Sequence, residues 1–211
     1  MRVLAYSLVI MLSLVSIPTQ AQFELGKHYV QLPPGSVVET DDGIEVREFF
    51  WYGCPHCYRL EPYLERWLKT KPDDVAYVRT PGVARKWIPH ARAYYTFEAL
   101  GITEKVHRPF FDAIHKGGQK LSDEASMAAF VAAYGVDQET FRKAFNSFGV
   151  KTQVQKAKQL NFRYGIDSVP TITVDGRYKT NVRSAGGPDQ LMRLINYLVE
   201  QSKLERKSAK N

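Results

Sequence analysis

Hydrophobic and polar positions follow two rhythms along this chain of 211 residues. IEVREFF (residues 44–50) is β-branched and aromatic, follows the turn signal Asp41-Asp42-Gly43, and predicts a buried strand. Within residues 58–68, Leu60, Leu64, Trp67 and Leu68 recur at helical spacing, and Pro62 inside that pattern predicts a kink or a restart. Residues 75–79 predict a second short strand, so the opening reads βαβ, with parallel strands and a crossover helix. From about Pro89 to Leu160 the composition turns helical, with breaks at Gly101, Gly117-Gly118, Gly135 and Gly149. Thr103, Ser122 and Asp137 are the candidate caps for four or five short helices. Strand character returns at residues 171–174, Asp175-Gly176 is a hairpin turn, and residues 177–179 form the returning strand. Pro188-Asp189 opens a last helix, with Leu191, Leu194, Ile195 and Leu198 on one face. Residues 22–40 are polar and predict no element, and no internal repeat is visible.

The N-terminus adds a compartment. Met1-Arg2 is charged, residues 3–17 are mostly apolar, and residues 18–21 end on the small Ala21. That order is a secretory signal with cleavage between Ala21 and Gln22. An apolar run of about 15 residues falls short of the roughly 20 a spanning helix needs, and no later stretch comes closer, so stable membrane insertion is not expected. The exported chain of about 190 residues, 22–211, fits one domain that buries its own core. The formal charge is +7 including Arg2. No basic run interleaved with aromatics accompanies it, so nucleic acid is not an expected partner, and the tail KLERKSAKN reads as a solvated end.

The chemistry concentrates in EFFWYGCPHC, which holds both cysteines of the chain, Cys54 and Cys57. Haem attachment needs a histidine after the second cysteine, where this chain has Tyr58. Structural zinc needs about four ligands, and His28, His56, His90, His107 and His115 form no compact pair. A staple across two residues closes almost no loop and constrains little. What remains is a thiol–disulfide redox centre. Cys54 follows a strand and Gly53 where a helix begins, so unpaired N–H groups and the positive end of the helix dipole favour its thiolate. Pro55 suits the first turn, and His56 adds charge or a hydrogen bond to the Cys54 sulfur. Cys57, one turn on, faces inward, which makes Cys54 the exposed attacking sulfur. Glu48, a carboxylate on a buried strand, needs a reason to be there, and Lys69 and Lys71 are candidates for its charge partner.

EFFWYGCPHC, the leader, the helical middle and the later SVPTITVDG together resemble the DsbA family of exported thiol–disulfide oxidoreductases. The resemblance implies an α/β thioredoxin-like fold with a helical subdomain inserted at about residues 82–160, and a periplasmic location. It implies that Pro170 is cis and faces the redox pair, that Val169 offers backbone groups to an extended substrate, and that Glu48 handles protons near Cys57. Trp51-Tyr52-Gly53 and Pro62 depart from commoner members. In that family the reactive cysteine titrates at about 3.5, against about 8.5 for a free thiol, and the potential is about −120 mV, against about −270 mV for thioredoxin. Both differences come to about 7 kcal/mol in favour of the reduced thiolate. The expected activity is therefore oxidation of reduced, unfolded exported proteins, with re-oxidation by a DsbB-type quinone-coupled membrane partner and no cofactor beyond the Cys54–Cys57 disulfide. The alternatives are a disulfide isomerase or reductase, a holdase with an inert disulfide, and a glutathione-dependent enzyme on the same fold, against which Cys57 argues.

Overall fold

The computed structural model describes residues 23–33, 38 and 43–209; the expected leader at 1–21 and the turn residues Asp41 and Asp42 lie outside them. The chain opens with β1 (Val30–Gln31), β2 (Ile44–Phe50), α1 (Pro55–Leu68) and β3 (Val75–Pro81). Helices α2 (Ile88–Ala99), α3 (Thr103–His115), α4 (Glu124–Ala132), α5 (Gln138–Phe145) and α6 (Phe148–Arg163) follow without an intervening strand. The chain then returns to the sheet through β4 (Thr171–Val174) and β5 (Tyr178–Thr180), and ends with α7 (Val182–Ala185) and α8 (Pro188–Ser208). The strand order is β1-β5-β4-β2-β3. The βαβ opening is parallel, from Ile44↔Val75 to Phe50↔Pro81, and β4 runs antiparallel to β2, from Val46↔Val174 to Phe49↔Thr171. This is the expected thioredoxin-like α/β fold with a helical insert.

β2 is the hub because both its faces are covered. Side chains alternate along a strand, so Ile44 and Val46 pack with Leu60, Leu64 and Trp67 of α1 and Leu194 and Leu198 of α8. Phe49 turns the other way, onto Leu160 and Tyr164. Glu48, in register with Ile44 and Val46, therefore faces α1. Phe50 and Tyr52 lead into the second core, where Phe97, Phe110, Phe111, Met127 and Phe141 hold the helical block together.

Several local expectations need correcting. α1 runs unbroken through Pro62 instead of restarting there. Leu60, Glu61, Leu64 and Trp67 are all buried, and that packing offsets the one N–H that Pro62 cannot donate. Asp137 caps α5 as expected, its Oδ2 accepting from Thr140 N at 2.8 Å. Asp123, rather than Ser122, caps α4: its extended backbone (φ −137°, ψ 165°) holds the position just before the helix, and its Oδ1 accepts the Ser126 N–H at 2.9 Å. Thr103 lies inside α3 and is buried, and Ile102 holds the cap position without a side-chain bond. β1, only two residues long, offers no periodicity to detect.

The tail is the largest correction. α8 continues to Ser208, and its charged end docks instead of facing solvent. Arg206 donates to the buried Asp175 through Nε at 3.0 Å and to the Gly43 carbonyl through Nη1 at 2.9 Å. Glu205 accepts from Arg177 at 2.9 Å and from Tyr178, and Lys203 meets Asp74 at 2.8 Å. Arg206→Ala leaves the Asp175 carboxylate with Arg177 alone, so it should cost about 1–3 kcal/mol of folding stability while leaving the redox potential unchanged. Urea unfolding followed by circular dichroism, with a glutathione equilibration in parallel, measures both.

Candidate active site

Cys54 occupies the N-cap of α1 with an extended backbone (φ −88°, ψ 116°), and Pro55 follows in the first turn. Its sulfur accepts the Cys57 N–H at 3.4 Å, so a thiol takes the place that a serine or aspartate oxygen usually fills. The same sulfur lies 3.4 Å from the Val169 carbonyl oxygen, to which the thiol donates. The Val169–Pro170 peptide is cis. Both cysteines are free thiols. Thus Cys54, Pro55, Cys57, Val169 and Pro170 gather at one end of the sheet.

The two sulfurs differ in depth less than expected. Cys57 is fully covered, and Cys54, expected to be exposed, is only 6% accessible. Trp51 and Trp87, stacked at 5.0 Å, crowd the mouth. Two glycines let them approach: a Cβ on Gly53 would lie 2.3 Å from the Trp51 ring, and one on Gly82 would lie 2.9 Å from Trp87 and 3.3 Å from Val169.

Electrostatics separates the sulfurs more strongly than depth does. The Cys57 thiol donates to the Cys54 sulfur, and with the backbone N–H groups of Cys57 and His56 it brings Cys54 down to about 6 against the opposing effect of burial. Burial first, then Cys54 and the charge of Glu48, push Cys57 well above the ordinary thiol range. His56 is exposed, and its Nδ1 accepts from Arg59 Nη2 at 2.8 Å. It therefore serves Cys54 through its backbone N–H and its field.

Glu48 is fully buried. Tyr77 donates to its Oε2 at 2.5 Å, and Arg79 Nε lies 3.4 Å away. Burial, and then the charge of Glu61, raise Glu48 to about 7. Arg79 is thus the charge partner. Lys71 instead donates to the Val75 carbonyl at 2.6 Å, and Lys69 is exposed.

Sequence reasoning missed Glu61, Tyr77, Arg79 and His107. Glu61 lies four positions after Cys57, on the same helix face, and that spacing was a usable signal. Its carboxylate is 3.5 Å from both Arg79 Nη2 and His107 Nε2. His107 Nδ1 meets the Tyr52 hydroxyl at 2.8 Å. No sequence pattern brings α3 to this point. Among the described residues no cluster of three or more His, Cys, Asp or Glu stands ready for a metal.

Comparison with known proteins points the same way. Residues 83–197 match the profile of the DSBA-like thioredoxin domain. The chain is 42% identical to a thiol:disulfide interchange protein DsbA of Azotobacter vinelandii, over 90% of this chain and 92% of that protein. A relative of the same name from Pseudomonas aeruginosa PAO1 is also 42% identical, over 95% and 94%. The crystal structure of Pseudomonas aeruginosa DsbA superposes with a TM-score of 0.83, covering 90% of this chain and 97% of that one. That of oxidoreductase DsbA from Xylella fastidiosa gives 0.78 at 32% identity, covering 84% and 96%.

Proposed function

The chain belongs to the DSBA-like thioredoxin family and is a thiol:disulfide oxidoreductase, and from that premise we propose that it acts as an oxidase, with Cys54 as the exchanging sulfur. One observation carries this direction: the Cys54 sulfur caps α1 and accepts both the Cys57 N–H and its thiol. These contacts stabilise a thiolate, and a stabilised reduced form makes the disulfide oxidising.

In the cycle, a substrate thiolate attacks Cys54 of the oxidised pair, and the broken S–S bond leaves its electron pair on Cys57. The product is a mixed disulfide. A second substrate thiolate attacks the substrate sulfur, forms the new substrate disulfide and expels Cys54 as thiolate, a good leaving group because it titrates at about 6. Two electrons pass from the substrate thiols to the pair. Val169 and Pro170 offer the backbone edge on which an extended substrate lies, Pro55 keeps the helix start in place, His56 gives its backbone N–H and its field to the Cys54 sulfur, and Glu48 supplies and removes the Cys57 proton. The redox agent is the cysteine pair itself. Substrates are reduced, unfolded exported proteins met in the periplasm after removal of residues 1–21, and a quinone-coupled membrane protein of DsbB type re-oxidises the pair.

Equilibration of the pair with reduced and oxidised glutathione tests this reading. The expected potential lies nearer the family's about −120 mV than thioredoxin's about −270 mV. A value at or below thioredoxin's makes the protein a reductase.

A further inference from the structure

Beneath the redox pair lies more acid than one proton handler requires. Glu48 on β2 and Glu61 on α1 are both buried, and a single guanidinium, Arg79 on β3, sits between them, 3.4 Å from one and 3.5 Å from the other. The fourth group, His107 on α3, is held neutral: burial and then Arg79 lower it to about 3. Two buried carboxylates face one largely buried guanidinium, while Arg108 acts on Glu61 only from the partly exposed rim, where it also pairs with Glu65 and Asp112, so like charges in this low-dielectric site do not both persist. Each acid also keeps one oxygen, Oε1, without a hydrogen-bond partner, as His107 keeps Nε2.

These groups line a way out. A cleft of about 610 Å³ runs between α1, β3, α2 and α3, with Glu61, Tyr77, Arg79 and His107 in its wall. The other ionisable groups facing it are Glu65 of α1, Lys71 just beyond it, Tyr94 and Glu98 of α2, and Glu104 and Arg108 of α3. Tyr77 and Arg79 reach through that wall to Glu48. The cleft thus joins solvent to these acids, and none of the mouth residues Trp51, Cys54, Trp87 and Val169 lies in its wall.

We propose that Glu48 and Glu61 share one proton beneath Cys57, and that this cleft is the entrance through which it is replaced. The inference rests on the reading of Glu48 as the proton handler. When substrate thiolate attacks Cys54, the S–S bond breaks and its electron pair departs on the Cys57 sulfur. That buried thiolate takes the shared proton and becomes a thiol, leaving both acids ionised. A proton from solvent then restores the pair by way of Glu61, while the mixed disulfide still blocks the mouth. Re-oxidation runs the same transfer backwards and releases the proton through the cleft. Arg79 and His107 are positioning residues, which hold the Glu61 carboxylate between cleft and core.

Infrared spectra at pH 7 test the sharing. The protein should show the carbonyl band of one protonated carboxyl, and both Glu61→Gln and Glu48→Gln should lose it, because the remaining acid keeps Arg79, with Tyr77 beside Glu48 or Arg108 near Glu61, and no longer has a second carboxylate beside it. A band that survives in Glu61→Gln overturns the shared proton. Leu68→Trp at the cleft wall should slow hydrogen–deuterium exchange of that band at least tenfold with its intensity unchanged, and exchange at the original rate overturns the entrance. Resolution of a Cys54–glutathione mixed disulfide by Cys57 separates the two readings. If Glu48→Gln resolves it at the wild-type rate while the band behaves as stated, the reading of Glu48 falls and the shared proton stands.

Discussion

Cys54→Ser abolishes disulfide transfer to a reduced, unfolded protein, whereas Cys57→Ser accumulates a covalent complex with it. The two outcomes differ because the sulfurs do. Cys54 carries the low titration midpoint of about 6 and faces the Val169 carbonyl at the mouth. Cys57 is fully covered, and its thiol is pushed well above the ordinary range. Without Cys54 no thiolate meets substrate, and a serine hydroxyl takes no part in the exchange. Without Cys57 an added small disulfide first loads Cys54, a substrate thiolate then displaces the small thiol, and with a single-cysteine substrate neither Cys57 nor a second substrate thiol remains to resolve the complex. Non-reducing gels and mass spectrometry of each variant after mixing with a reduced substrate read both results. Full suppression of substrate aggregation by Cys54→Ser would show instead that the protein is a holdase for unfolded chains.

The second large effect is the pH dependence of stability in the reduced state. A midpoint near 6 in the folded protein, against about 8.5 in the unfolded chain, is a depressed value. The stabilisation it gives is complete above the unfolded midpoint and disappears as pH falls through 6. Taken over the roughly 2.5 units from about 8.5 to about 6, it reaches at most about 3 kcal/mol near pH 9, and about 1.4 kcal/mol of it remains at pH 7. These are upper figures, because the sulfur borders solvent at the mouth. Cys57 is neutral throughout this window, and the Glu48–Glu61 acids are present in both redox states. The advantage of the reduced over the oxidised protein should therefore shrink steadily from pH 9 to pH 5. Paired urea unfolding curves of the two forms measure it, and a constant gap would remove the thiolate as its source.

β2 and β4 were legible in the sequence to the residue, because both are short, β-branched and bounded by turn signals. The redox pair was legible because Cys-Pro-His-Cys at a helix start carries its own chemistry. The helix ends were less so: Asp123 and Ser122 are both good caps, and which of them reaches the open N–H depends on a backbone angle that sequence does not state. The docked tail was misread because its charges look solvated until the hairpin brings Asp175 and Tyr178 beneath them. Arg79 and His107 were out of reach for a similar reason. They stand 18 and 46 positions after Glu61, and only the crossover and the turn of α3 bring them to it.

The contact between Cys54 and the Val169 carbonyl spans 115 positions, and the β2–β4 ladder spans the same stretch of chain. A polypeptide that emerges N-terminus first delivers both thiols long before the strand and loop that complete their surroundings. Until residue 174 arrives, β2 lacks one of its two neighbours and Cys54 lacks its facing carbonyl. The face that meets substrate is therefore completed last, although the cap that tunes Cys54 lies within residues 54–57.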